Sequence, residues 1–210
     1  MISLSEILHT IAQALMIPCL IILLVLMAGA VWQIGDIVVE FIAERRKHKC
    51  DVPQLLRDVH TAGAGGLADL IENSGLLRRQ KKALLELAES RGLPKDTLTA
   101  LAERLLATEE ARNARTTSIT DMIAKLGPMF GLLGTLIPLG PGIVALGQGD
   151  TVTLSESMNV AFDTTIAGVI SAAVASVISH IRKRWYNDDM VSLETLMEAV
   201  LEEVTSDVEG

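Results

Sequence analysis

The chain has 210 residues, of which 50% are hydrophobic and 3% aromatic, with a mean hydropathy of +0.40 and a net charge of −8. This length and apolar content leave no room for a large independent domain beside membrane-spanning segments. The acidic balance does not indicate nucleic-acid binding, because the acidic residues cluster outside the apolar stretches, notably after Trp185.

Three apolar stretches cover residues 7–35, 126–149 and 160–181. Each can cross a hydrocarbon core of about 30 Å, which takes about 20 helical residues. All 18 basic residues lie either between Arg45 and Lys125 or in the triplet at 182–184. Because positive charge is retained in the cytoplasm, we predict an outer N-terminus, a short outer loop between the last two spans, and a cytoplasmic C-terminus. The predicted location is the cell (cytoplasmic or inner) membrane, as a multi-pass protein.

The segment between the first two spans is predicted to be helical. Pro53 can open a helix, Gly65 and Gly66 are expected to break it, and Ser74 to end the short helix that follows. A further helix is predicted over residues 76–91.

From Asp96 or Thr97, no breaker precedes Gly127, so a long helix is predicted to run directly into the second span. The third span is predicted to continue as a helix past Trp185. The predicted fold is therefore an all-α membrane protein with three transmembrane helices and long cytoplasmic helical extensions.

Four regions follow along the chain. They are residues 1–44 with the first span, the cytoplasmic helical region 45–125, the second and third spans at 126–187, and the cytoplasmic C-terminal helix 188–210.

The second span carries small residues and prolines on one helical face: Gly127, Gly131, Gly134, Pro138 and Pro141. Small faces let membrane helices approach closely. Each internal proline removes a backbone donor and leaves the carbonyl four residues earlier without its helical partner. We therefore predict a helix break near the outer face, beside Thr135. A packed, kinked helix and a hydrated path both remain open as explanations of this pattern.

The third span carries a second stripe of small residues, which includes Thr165 and Gly168. Asp163 is the only carboxylate within an apolar stretch, where insertion of an acid costs about 3 kcal/mol at the bilayer centre. At about 100° per residue, Asp163 and Thr165 point to nearly opposite faces. A role for Asp163 in an ion path and a role in interfacial hydrogen bonding both remain open.

Other functional signals are weak. His48 and Cys50 lack a second pair at metal-binding spacing, so neither a metal nor a cofactor is predicted. The chain has no nucleotide-binding loop, nucleophile elbow or zinc-protease signature, so an enzyme is not predicted.

Two segments resemble motifs of a known family. Residues 127–135, Gly-Pro-Met-Phe-Gly-Leu-Leu-Gly-Thr, resemble the second-span motif of the MotA/TolQ/ExbB proton-channel family. Residues 161–168, Ala-Phe-Asp-Thr-Thr-Ile-Ala-Gly, and the later Tyr186-Asn187 resemble its third-span motif. Order, spacing and topology are similar to the ExbB/TolQ branch. The acid at Asp163 lies one turn after Val160, where many ExbB-like members have glutamate.

The resemblance implies a homo-oligomer, most simply a pentamer, around a single-span ExbD/TolR-like partner whose membrane aspartate carries the proton. It places Thr135 and Thr165 on the ion pathway, with Thr164 and Asp163 as further candidates. Ion flow would then be coupled to mechanical work. The alternative is a non-conducting membrane scaffold that assembles through its small-residue helix faces.

Overall fold

A computed structural model describes residues 4–42 and 51–209. These residues form six helices: α1 Leu4–Ala14, α2 Met16–Glu40, α3 Val52–Asn73, α4 Arg78–Glu89, α5 Lys95–Gly147 and α6 Thr151–Glu209. The described residues contain no strand, and the predicted all-α class is confirmed. Arg45, His48 and Cys50 lie outside the described ranges.

Three helical segments are long and apolar enough to cross a membrane, namely Glu6–Glu40, Lys95–Gly147 and Thr151–Ser206. The first of these combines α1 and α2. Leu15 between them keeps helical hydrogen bonds, since its amide donates to the Ile11 carbonyl at 3.1 Å and its carbonyl accepts from Cys19 at 3.0 Å. The prediction of three spans is therefore confirmed.

The long helices are also found where the sequence predicts them. The α5 helix begins at Lys95 and passes through the second apolar stretch, and α6 continues beyond Trp185 to Glu209. The connection between them comprises only residues 148–150, in which the Asp150 carboxylate accepts hydrogen bonds from the amides of Val152 and Thr153 at 3.2 and 3.1 Å.

The predicted break at Gly65 and Gly66 is wrong. The non-helical residue of α3 is Gly63, with φ 63° and ψ 171°, a left-handed conformation that favours glycine. In a straight helix, the buried Leu55 and Leu67 would point about 120° apart. The kink at Gly63 allows both leucines to reach the same core.

The predicted helix break at Pro138 and Pro141 is also wrong, because α5 continues through both prolines to Gly147. Ending a helix inside hydrocarbon leaves several backbone groups without partners. Continuing it deprives only the carbonyls of Gly134 and Ile137 of their usual donors, and this costs less than a helix end.

The chain divides into two compact units. Met1–Ile37 and Thr117–Ile181 form one, here called the membrane unit, and Val38–Thr116 and Arg182–Gly210 form the other, here called the polar unit. The membrane unit has a small core in which α2, α5 and α6 meet: Leu26, Ala30, Ile123 and Ala175.

The polar unit has the larger core, built from α3, α4, the start of α5 and the end of α6. Its most deeply buried side chains are Val59, Leu67, Ile71, Leu76, Leu84, Leu87, Leu98, Leu193, Leu196, Met197, Val200 and Val204. The buried Arg182 guanidinium donates from Nε to Oε2 of Glu40 at 3.1 Å. The rings of Phe41 and Trp185 stack with their centroids 6.0 Å apart.

Candidate functional site

The backbones of α5 and α6 touch within the membrane unit. A Cβ atom built on Gly168 would lie 2.5 Å from the Gly127 carbonyl oxygen and 2.9 Å from the Gly131 Cα. A Cβ on Gly127 would lie 2.7 Å from the Gly168 oxygen. Real Cβ contacts are not this short, so the approach of the two helices depends on glycine at these positions, as expected where membrane helices pack through small residues.

Gly134 continues this contact toward the turn that joins α5 and α6. A Cβ on Gly134 would lie 2.6 Å from Thr164 Cβ and 2.7 Å from its Oγ1. Thr164 is only 4% exposed, and its hydroxyl lies 2.9 Å from the carbonyl oxygens of Val160 and Ala161 on its own helix. Thr164 therefore fills the space beside Gly134, between α5 and α6.

The two prolines lie within the same helix pair. Pro138 is buried and Pro141 is half-buried. One residue further, a Cβ on Gly142 would lie 3.1 Å from Ser157 Cβ of α6. The two helices thus remain in contact past the prolines, up to the turn that joins them.

The α2 helix covers one side of this pair. The Cys19 thiol lies 3.4 Å from the Phe130 carbonyl oxygen, and a Cβ on Gly29 would lie 3.2 Å from Ile123 Cδ1. On α6, Val174 packs against the same cluster. Phe130 and Val174 therefore mark the side of α5 and α6 that faces α2.

Thr135 and Thr165 lie on the other side of the pair. At about 100° per residue, Thr135 is about 140° around α5 from Phe130, and Thr165 is about 180° around α6 from Val174. Both are half-buried. Their hydroxyls donate to carbonyls of their own helices, to Leu132 at 2.7 Å and to Ala161 at 3.0 Å.

Asp163 is not brought together with these threonines. Its side chain is exposed, and it lies about 20° around α6 from Val174, near the direction in which α2 packs. Thr135 and Thr165 therefore lie on a different side of the helix pair from Asp163.

Asp121 lies before the apolar stretch at 126–149 and is not among the site residues predicted from the sequence. The Ser179 hydroxyl donates a hydrogen bond to Asp121 Oδ1. The neighbouring Thr120 is fully buried, and its Oγ1 has no hydrogen-bond partner. The spacing of Thr117, Thr120 and Asp121 at three and four residues was the available signal, since it places them on one helical side.

Among the described residues, no group of three His, Cys, Asp or Glu side chains could hold a metal.

Three helices that are long and apolar enough to cross a membrane define a membrane protein, in which two of these helices are in backbone contact and carry Thr135 and Thr165 on the side away from α2. A family model, described as the MotA/TolQ/ExbB proton channel family, matches residues 71–195. This is more than half of the chain, and the protein belongs to that family. The resemblance found in the sequence is confirmed at this level, and the family is one of channels and not of enzymes. No curated protein matches the chain individually.

Proposed function

We propose that the protein is the channel-forming subunit of a proton-driven membrane motor of the ExbB/TolQ type. Several copies, a pentamer in this proposal, surround a single-span ExbD/TolR-like partner in the cell membrane. The N-terminus lies outside and the C-terminus in the cytoplasm. Protons moving down their gradient through the complex drive mechanical work by the partner.

The observation that carries this proposal is the common side of Thr135 and Thr165. Each hydroxyl donates its hydrogen to its own helix, so each oxygen keeps its acceptor positions. An acceptor in this place suits a donor that arrives with the ion, such as a protonated carboxyl group of the partner or a hydronium ion. Two such acceptors on adjacent helices form a threonine-lined wall.

The need for a partner follows from the acids of the membrane unit. The threonine side carries no acid at the level of Thr135 and Thr165, and Asp163 points away from it. A proton crossing hydrocarbon needs a carrier group, because an isolated charge there is costly. The wall supplied by this chain is therefore completed by a carboxylate of another chain.

The remaining surfaces fit this arrangement. Ile17, Leu24 and Val31 recur every seven residues on α2 and are exposed aliphatic side chains, as lipid contact requires. Thr164 and the glycines act in packing, by holding α5 and α6 together. In the proposal, Asp163 has a structural role near the outer surface, where it hydrogen-bonds between subunits.

The test uses the full chain co-purified with its partner and reconstituted into lipid vesicles. Proton uptake is driven by a potassium diffusion potential and followed with an internal pH dye. Thr165→Val should lose coupled flux while the oligomer stays intact by native mass spectrometry, because an isosteric methyl group cannot accept a hydrogen bond. Thr99→Val is the matched control, since Thr99 is exposed and also donates to its own helix, to Lys95 at 3.0 Å.

Normal flux in Thr165→Val would refute the pore assignment. In the same assay Asp163→Asn should conduct normally, because the amide keeps an acceptor, and its loss of flux would move Asp163 into the ion path. The alternative is a non-conducting membrane scaffold that assembles through small-residue helix faces, whether or not ions pass. If the wild-type complex takes up no protons, the protein is such a non-conducting scaffold.

A further inference from the structure

Asp121 differs from every other charged side chain that the structure describes in the membrane unit. The others are exposed, whereas Asp121 is half-buried and accepts a hydrogen bond from Ser179 of the neighbouring helix. It precedes the apolar stretch by five residues, which is about 7.5 Å along a helix axis. The carboxylate therefore lies at the end of the spans where the basic residues begin.

The buried hydroxyl group of Thr120 is a second, independent observation that points to a ligand beside Asp121 and Ser179. Gly127 meets Ala172, with a Cβ-to-Cβ distance of 3.0 Å for a Cβ built on the glycine. The helices are antiparallel, so Thr120, seven residues before Gly127, lies level with Ser179, seven residues after Ala172. Thr120 is 0% exposed and its Oγ1 has no hydrogen-bond partner. A buried hydroxyl without a partner costs about 1–3 kcal/mol.

Asp121 and Ser179 also lie on the same side of the helix pair as the two threonines. Asp121 is fourteen residues from Thr135, and Ser179 is fourteen residues from Thr165. Fourteen residues correspond to about 21 Å along the axis and a rotation of only about 40°. One side of the helix pair thus carries polar side chains at two positions along the helix axis. Thr135 and Thr165 lie within the apolar stretches, and Asp121 and Ser179 lie at the end where the basic residues begin.

We propose that Asp121, Ser179 and Thr120 form a proton-transfer site through which protons that have passed the threonine wall leave the membrane. This inference rests on the proposed function. A hydronium ion gives its proton to a carboxylate oxygen of Asp121 and becomes water. The O–H bond then breaks toward a water molecule on the basic side, which regenerates the carboxylate and hydronium.

Each of the three side chains has a different role in the proton transfer. Asp121 carries the proton, and a carboxylate has about four acceptor positions, so protonation does not require Ser179 to release its hydrogen bond. Ser179 orients the carboxylate and favours its ionised form, since a hydrogen bond donated to the charged form stabilises it. The Thr120 hydroxyl holds the water that brings or removes the proton.

Other charges at this level are exposed or paired. The titratable groups nearest along the packed helices are Asp36 on α2, Lys125 on α5, and His180 and Lys183 on α6, and all four are exposed to solvent. Further along α6, Arg182 is paired with Glu40. Asp121 is thus the half-buried acid of the membrane unit at this end of the helix pair.

The decisive experiment measures proton uptake by vesicles containing the full complex with its partner. Asp121→Asn should lower the flux by about a hundredfold or more, the smaller end of what a positioned proton-transfer group contributes, because an amide does not take up a proton. Asp36→Asn is the matched control, as the same substitution at an exposed acid, and should leave the flux unchanged. Native mass spectrometry checks that each oligomer is intact.

A second variant keeps the proposal testable if Asp121→Asn does not assemble. Ser179→Ala removes a hydrogen bond to the ionised carboxylate, so the pH at which the flux is half-maximal should move upward. A purely structural role would lower the amount of assembled protein without moving this pH profile. Asp121→Glu should retain flux, with a shifted profile.

The outcomes separate the two proposals. If wild-type vesicles conduct and Asp121→Asn conducts at the same rate, or if no shift follows from Ser179→Ala, the transfer site is refuted and the channel function stands. If wild-type vesicles take up no protons, the channel function fails and the transfer site fails with it.

Discussion

Gly168→Ala tests whether backbone contact holds the membrane helices together. The added Cβ would lie 2.5 Å from the Gly127 carbonyl oxygen and 2.9 Å from Gly131 Cα. Both are backbone atoms of a packed helix, so no side chain can rotate to make room. The variant can accommodate the methyl group only by moving α5 and α6 apart, which also weakens the contacts of their neighbours.

The expected magnitude follows from comparison with Gly140→Ala. Gly140 is also a helical residue, and a Cβ built there meets nothing within 4 Å. Both substitutions gain up to about 1 kcal/mol of helix propensity, so this gain cancels when the variants are compared. Overpacking of a tight contact costs about 1–3 kcal/mol. Gly168→Ala should therefore be less stable than Gly140→Ala by about 1–3 kcal/mol.

The assay is the free energy of unfolding in mixed detergent micelles, with helix content followed by circular dichroism during titration with a denaturing detergent. Gly140→Ala should unfold at the same or a higher detergent fraction than the wild type, and Gly168→Ala at a lower one. Equal unfolding free energies for the two variants would show that the helices do not meet at Gly168 and would refute the close packing argued here.

Two further predictions concern the prolines and the single tyrosine. Replacing both Pro138 and Pro141 with alanine should raise the unfolding free energy in the same assay, because proline in a helix interior is disfavoured by about 3 kcal/mol; a less stable variant would show that the prolines are required by packing. Burial, with the Glu40 carboxylate beside it, raises the pKa of Tyr186 to about 12. The chain has one tyrosine, so tyrosinate absorbance reports Tyr186 alone. This absorbance should rise with pH, with a midpoint near pH 12 in the native protein and about pH 10 after unfolding. The stability that Tyr186 contributes is thus present below about pH 10 and lost as the pH rises through 12, and a native midpoint near 10 would contradict this burial.

The sequence predicted the features that depend on long patterns. The three spans follow from the length of the apolar stretches, and the continuity of α5 follows from the absence of a breaker between Asp96 and Gly127. Small residues recur at helical spacing on the faces where α5 and α6 meet. The apolar stretches and the helical spacing extend over many residues, so one residue that departs from the pattern does not change the predicted helix.

Local breakers were less informative, because their effect depends on tertiary contacts. Two adjacent glycines at 65 and 66 remain helical, while Gly63 alone adopts the left-handed conformation. Pro138 and Pro141 stay inside a helix whose termination in hydrocarbon would cost more. Sequence spacing also cannot tell which of two adjacent threonines enters a contact, and only the register of Gly134 against Thr164 decides this.

The direct meeting of two backbones also limits how this subunit can move. Side-chain interfaces can shift between alternative rotamers, but the contact between Gly127 and Gly168 has no side chains to repack. Sliding one helix along the other would drive bulkier neighbours into the position of a glycine. We therefore expect α5 and α6 to turn or tilt within the membrane as one rigid pair, so that movement occurs at the surfaces around this helix pair and not inside it.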